Sequence, residues 1–178
     1  MDDLPILIFR AQNGDKDAYG AIYNLYYKQI YRYCYFNLRD RALAQDIVQE
    51  TFLKAWKSIA SFSQDRGGTI QAFLYRIARN LIIDHSRRRK NAKLEDHEHI
   101  ETEGEIGESI DLDREKEKLK EALGQLAERD RQIVILRFFE EMSFVEISKI
   151  VKVREGALRV RIHRILEKLK TIIENDRG

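Results

Sequence analysis

The sequence predicts an all-α protein of two small helical domains: a four-helix N-terminal domain and a C-terminal helix-turn-helix domain, joined by a flexible acidic linker. Three observations carry that expectation. Apolar residues recur at spacings of three and four along the 178 residues, and no convincing run shows the alternation of a half-buried strand. The chain holds one proline and nine glycines, few enough for long helices. Between 91 and 113 the composition turns abruptly acidic, with few large apolar residues.

Leu4–Gln12 reads as a first helix, closed by the turn Asn13-Gly14-Asp15. A second runs from about Asp17 to Leu38, with Ala18, Ile22, Leu25, Tyr26, Ile30 and Tyr33 on one side. Asp40 is a candidate N-cap for a third, from about Arg41 to Ala60. In it Val48, Phe52, Ala55 and Ile59 make a stripe to be buried. A polar, glycine-bearing loop, Ser61–Thr69, precedes a fourth helix from about Ile70 to Arg89, with Phe73, Leu74, Ile77, Leu81 and His85 inward. The first domain is therefore expected over 1–90, the acidic linker over 91–113 and the second domain over 114–178. Leu119, Leu123 and Leu126, then Ile133–Phe139, resume the apolar pattern.

The bulk numbers exclude several classes. Hydrophobic residues at 43% and charged residues at 35% suit a soluble protein with real cores. The one cysteine, Cys34, forbids an internal disulfide, suits a reducing cytoplasm and reads as a buried thiol. Met-Asp-Asp followed by the short apolar stretch Ile6–Phe9 is neither a signal peptide nor a membrane span, so a cytoplasmic protein with no membrane insertion is expected. The net charge of +2 says little, because the charges are segregated along the chain.

The clearest motif lies near the C-terminus. Ser143 with Glu146 is a capping box opening a helix Phe144–Val151. Lys152-Val153-Arg154 makes a tight turn, and a second helix from Glu155 places Leu158, Ile162, Ile165, Leu169 and Ile172 on one stripe. Its free face and flanks carry Arg154, Glu155, Arg159, Arg161, His163, Arg164 and Lys168. A helix-turn-helix puts the N-terminal part of its second helix into the major groove. There arginine bonds guanine edges bidentately and glutamate accepts from cytosine, while basic residues further along suit phosphates. An ordinary solvated bundle helix is the plainer alternative.

A second face lies on the third helix. Gln49, Leu53 and Trp56 share it, opposite the apolar stripe, with Asp46 and Glu50 at its edge. An exposed tryptophan among charges suits a protein-docking anchor; burial against a neighbouring helix reads equally well locally. On the fourth helix Arg76, Arg79, Arg87, Arg88, Arg89 and Lys90 form a basic strip suited to a phosphate backbone. Phe62–Thr69, with Gly67 and Gly68 for close approach and Asn80 nearby, is either a simple connector or a pocket for an extruded base.

Taken in order, these pieces resemble the bacterial RNA polymerase sigma factors, specifically the extracytoplasmic-function group. The likeness rests on Asn13-Gly14-Asp15, on Asp46-x-x-Gln49-Glu50-x-Phe52-Leu53-x-x-Trp56 and on Phe73-Leu74-Tyr75-Arg76-Ile77-Ala78-Arg79-Asn80-x-x-x-Asp84-x-x-Arg87-Arg88. It continues through Leu126-x-x-Arg129-x-Arg131, Leu136-Arg137 and Glu155-Gly156-x-x-Arg159-x-Arg161-x-His163-Arg164. It departs at Ala127, where proline is common, at Arg154, often a small residue or proline, and at Ala157, where threonine is frequent.

The resemblance implies a region 2 domain, a region 4 domain and no catalytic group or cofactor. Asp46, Gln49, Glu50, Leu53 and Trp56 would dock core RNA polymerase. Arg66, Arg76, Arg79, Asn80, Arg87 and Arg88 would meet a locally melted −10 element. Arg154, Glu155, Arg159, Arg161 and Arg164 would meet the double-stranded −35 element. An anti-sigma partner, which can hold such a protein at the membrane, is also implied. The linker could span about 75 Å at most at ~3.3 Å per residue, and ~25–30 Å when relaxed.

Two other classes account for part of the sequence. Asp96-His97-Glu98-His99 offers metal-ligand types, but two histidines two apart in an acidic stretch have no evident second shell, so no metal is expected. A self-sufficient dimeric helix-turn-helix regulator would account for Phe144–Lys170 but for neither the Trp56 face nor the basic strip.

Overall fold

A computed structural model describes residues 3–63, 68–95, 118–119 and 121–175. Those residues are helices and turns, with no strand among them. The chain divides into two compact units, Met1–Glu101 and Thr102–Gly178.

In the first unit, α1 (Leu4–Gln12) is capped by Asp3 and carries Pro5 in its first turn, where a missing N–H costs nothing. Gly14 turns the chain at φ +88°, a conformation glycine adopts without strain. The Asp15 carboxylate then caps α2 (Lys16–Leu38), accepting from the N–H groups of Asp17 and Ala18 at 2.9 and 3.0 Å. The Ala18 N–H and then the Arg10 guanidinium hold its pKa below the ordinary carboxylate value. Asp40 caps α3 (Arg41–Ser58) by accepting from Leu43 N–H at 3.0 Å, as its position before the helix leads one to expect. A 3₁₀ turn, Ile59–Ser61, ends α3. It is pinned from α1: Gln12 Nε2 donates to the carbonyls of Ile59 and Phe62 at 3.2 and 2.6 Å.

The α3 stripe is buried as its spacing predicts, with Val48, Phe52, Ala55 and Ile59 all in the core. Two expectations fail. Leu25 of α2 is 54% exposed, and Tyr26 is only half-buried. The inner face of α4 (Ile70–Glu95) is rotated: Ala72, Leu74, Tyr75, Ala78, Leu81 and Ile82 are buried, whereas Phe73, Ile77 and His85 are half-buried. The reason is the fit against α2, where the Tyr75 ring meets Tyr33 edge-on at 5.2 Å. Helix α4 also runs past Arg89 to Glu95. Cys34 is buried and its thiol is pushed up to about 12 by desolvation, so it stays protonated and unreactive.

In the second unit Leu123 and Leu126 are buried, but Leu119 lies at the surface. Helix α5 (Glu128–Val134) passes into a π-helical segment, Ile135–Phe139, and contributes Ile133, Val134, Ile135 and Leu136 to the core. Helices α6 (Phe144–Val151) and α7 (Glu155–Asn175) follow. The capping box is complete: Glu146 N–H donates to Ser143 Oγ at 3.2 Å, and Ser143 N–H donates to Glu146 Oε2 at 2.8 Å. Removing it by Ser143→Ala is expected to cost about 1 kcal/mol, read as a lower urea midpoint for this unit. An unchanged midpoint would show the cap to be redundant.

Candidate nucleic-acid and protein-docking interfaces

On α3, Asp46, Gln49 and Glu50 are exposed, and Glu50 pairs with Lys54 at 3.0 Å. At ~100° per residue, Asp46, Glu50 and Leu53 lie opposite the buried stripe of α3, and Gln49 and Trp56 lie between that side and the stripe. Leu53 is 53% exposed. Trp56 is neither fully exposed nor fully buried, its ring lying 4.8 Å from that of Tyr19. Tyr19 is itself fixed, its hydroxyl donating to Phe52 O at 2.5 Å, and burial raises its pKa. Lys16, Tyr19, Phe52, Leu53 and Trp56 line an open, mostly apolar groove of about 350 Å³. Half-buried tyrosines continue the aromatic surface along α2, with Tyr23 4.6 Å from Phe52 and 5.2 Å from Tyr27. Tyr19 was missed from sequence. Its only signal was helical phase with Tyr23 and Tyr27.

The candidate −10 residues are less unified. Arg66 and Gly67 lie outside the described residues. At Gly68 a Cβ would make only ordinary 3.8 Å contacts with Phe62 and Ser63, so packing does not demand glycine there. Along α4, at ~100° per residue, Arg76, Asn80 and Arg87 fall within about 40° of one another. Arg79 and Arg88, nine positions apart, project to opposite sides. Asn80, Arg87 and Arg88 are exposed, whereas Arg76 and Arg79 are half-buried. The Arg79 Nε is shielded from solvent and makes no hydrogen bond. The strip is therefore a short face formed by Arg76, Asn80 and Arg87, with flanking charges, rather than one continuous track.

In the second unit Lys152 turns the chain at φ +56°, and α7 presents its stripe inward: Leu158, Ile162, Ile165 and Leu169 are buried and Ile172 half-buried. Outward lie Arg154, Arg159, Val160, His163 and Arg164, with Glu155 partly covered. A shallow depression of about 400 Å³ is lined by Arg159, Val160, His163, Arg164 and Glu167. Arg159 Nη2 donates to Glu155 Oε1 at 2.5 Å, and its guanidinium sits 4.7 Å from the Phe144 ring centroid. Arg161 is engaged differently. Its Nε donates to Asp130 Oδ1 of α5 at 2.7 Å, which ties α7 to its own unit instead of leaving the side chain free for a base. Val160, 55% exposed, went unremarked in the sequence because a valine between two arginines carries no charge signal.

Among the described residues, no group of three or more histidine, cysteine, aspartate or glutamate side chains could hold a metal ion. Asp96-His97-Glu98-His99 lies outside them. No helix among the described residues is long and apolar enough to cross a membrane.

Residues 22–92 match Sigma-70 region 2 and residues 116–169 match Sigma-70, region 4. The chain is 32% identical to the extracytoplasmic-function sigma factor SigW of Bacillus subtilis, covering 92% of each. It is 31% identical to BldN of Streptomyces coelicolor over 96% of this chain and 66% of that protein. The fold is similar to that of CnrH, solved in complex with the cytosolic domain of CnrY, with a TM-score of 0.74 and 25% identity over 96% of this chain and 97% of the other. It is also similar to RpoE of Bartonella quintana, solved with the anti-sigma factor NepR, with a TM-score of 0.71 and 23% identity over 87% of this chain and 96% of the other.

Proposed function

The chain belongs to the extracytoplasmic-function RNA polymerase sigma factors, and on that premise we propose which of its surfaces perform promoter-specific initiation. The observation that carries the reading is the alignment with SigW across 92% of both chains, which spans both interfaces.

Helix α3 docks core RNA polymerase. Leu53 and Trp56 supply apolar area beside the groove, while Asp46, Gln49 and Glu50 make the surrounding polar contacts, an arrangement suited to a central anchor with a polar rim. Helix α4 and the loop before it meet the −10 element. Arg76, Asn80 and Arg87 line one face along the strand, Arg79 and Arg88 flank it, and Arg66, four positions before α4, assists opening. Helix α7 reads the −35 element in the major groove: Glu155 and Arg159 sit at its N-terminal turns, where such helices contact base edges. Arg154 and Arg164 supply phosphate contacts, and Arg161 supports the reader through Asp130. The functional division is 1–90, 91–113 and 114–178. The acidic segment tethers the two readers and, being negative, stays off the phosphates.

The protein works in the cytoplasm as an initiation factor without catalytic groups, metal or cofactor. An anti-sigma factor covering the α3 groove would silence it by excluding the polymerase, because the groove is open and apolar.

Run-off transcription with purified core RNA polymerase tests the assignment. Arg159→Ala is expected to lower initiation at a −35-dependent promoter by about tenfold, the loss of one bidentate base contact, with core binding unchanged. Loss of core binding instead would mean that the two functions sit on the opposite units.

A further inference from the structure

The reader side chain Arg159 is not an isolated arginine on a solvated helix. Its guanidinium carbon lies 4.7 Å from the centre of the Phe144 ring, within the range of cation–π attraction. Phe144 is the first residue of α6, on the preceding helix, and its ring is half-buried. A second guanidinium, that of Arg137, sits 5.1 Å from the same centroid. Arg137 is itself anchored, its Nη1 donating to the Met142 carbonyl at 2.9 Å. The ring is thus held from the π-helical segment by Arg137 and holds Arg159 of α7 in turn. Glu155 completes the cradle by accepting from Arg159 Nη2. The Arg159 side chain nonetheless remains 61% exposed, so it is oriented without being hidden.

We propose that Phe144 is a positioning residue for −35 recognition, acting through Arg159. The inference rests on the assignment of α7 as the −35 reader. An unrestrained arginine samples many rotamers, and fixing one on binding has an entropic cost. The ring meets part of that cost before DNA arrives, a form of preorganisation. Glu155 shapes the same choice. It is a hydrogen-bond acceptor held beside a donor fork, so the pair is suited to a cytosine amino group next to a guanine edge. An aliphatic side chain at 144 would keep the apolar packing and lose the attraction. Tyrosine would keep both.

The test is transcription of a promoter library randomised over the −35 element, using core RNA polymerase with the full-length native, Phe144→Leu, Phe144→Tyr and Arg159→Ala chains. Arg159→Ala identifies the base position that this side chain reads. Phe144→Leu is expected to weaken the preference at that same position about three- to fivefold, the usual worth of a surface cation–π contact. The other positions should keep theirs, and Phe144→Tyr should match the native chain. Circular dichroism of each variant confirms that α6 and α7 remain folded. An unchanged preference in folded Phe144→Leu would overturn the proposal, and so would a uniform loss across all positions. A native chain with no −35 preference would remove the reader assignment, and this proposal with it.

Discussion

Trp56→Ala is expected to weaken the complex with core RNA polymerase by roughly 30-fold or more, the signature of an interface anchor. The reason lies in how the ring is held. One part of it packs on Tyr19, whose hydroxyl is tied to the α3 backbone, and the rest borders the groove beside the exposed Leu53. A tryptophan so braced loses little freedom on binding while still presenting apolar area. Truncation removes both the area and the wall that shapes the groove. The measurement is a fluorescence-anisotropy titration of labelled chain with core polymerase, beside a thermal melt showing the variant folded. An affinity within twofold of native in a folded variant would exclude the groove as a contact.

The second large effect is one of stability. Leu158→Ala is expected to cost the C-terminal unit about 2–5 kcal/mol. Leu158 is fully buried in the first turns of α7 and belongs to the stripe that holds this helix to its unit. A unit this small holds only roughly 3–8 kcal/mol in total, so much of its ordered population should be lost. Urea unfolding should show the transition of this unit moving to lower denaturant while that of the N-terminal unit stays in place. Initiation that depends on the −35 element should fall with it, and core binding should persist. A single shifted transition for the whole chain would show that the two units unfold together.

The sequence made the fold legible where helical spacing was unambiguous. Val48, Phe52, Ala55 and Ile59 admit one phase, and Asp40 and Ser143 mark helix starts by a local mechanism that needs no tertiary information. On α4 the phase was misread because two sets of residues both recur at threes and fours. Phe73 and Ile77 are no less apolar than Tyr75 and Ile82, and the packing of α4 against α2 and α3, with Tyr75 meeting Tyr33 edge-on, decides between them. Leu25 was misplaced for a simpler reason: an apolar side chain need not be inside.

Among the site residues the limits were of another kind. Arg159 and Arg161 look alike in sequence, two basic residues of α7. Asp130, 31 positions upstream, takes Arg161, while Phe144 and Glu155 orient Arg159. Glu155 stands four residues before Arg159 and is visible in helical spacing, but partners as distant as Asp130 and Phe144 leave no trace in it. The proposed docking face was legible in part, since Leu53 stands opposite the stripe and Trp56 at its edge, yet the contribution of Tyr19 from α2 needed the packing of two helices to be known.

The braced tryptophan has an optical consequence. Trp56 is the only tryptophan in the chain, so near-ultraviolet excitation beyond the tyrosine band isolates one side chain at one place. Its indole is half open to solvent, and its emission colour should respond whenever something covers the groove. With the Tyr19 ring tilted against it and Tyr23 and Tyr27 further along α2, light absorbed by the tyrosines has a nearby acceptor. The α3 groove thus carries its own lamp and detector, and its occupancy can be followed on the unlabelled protein.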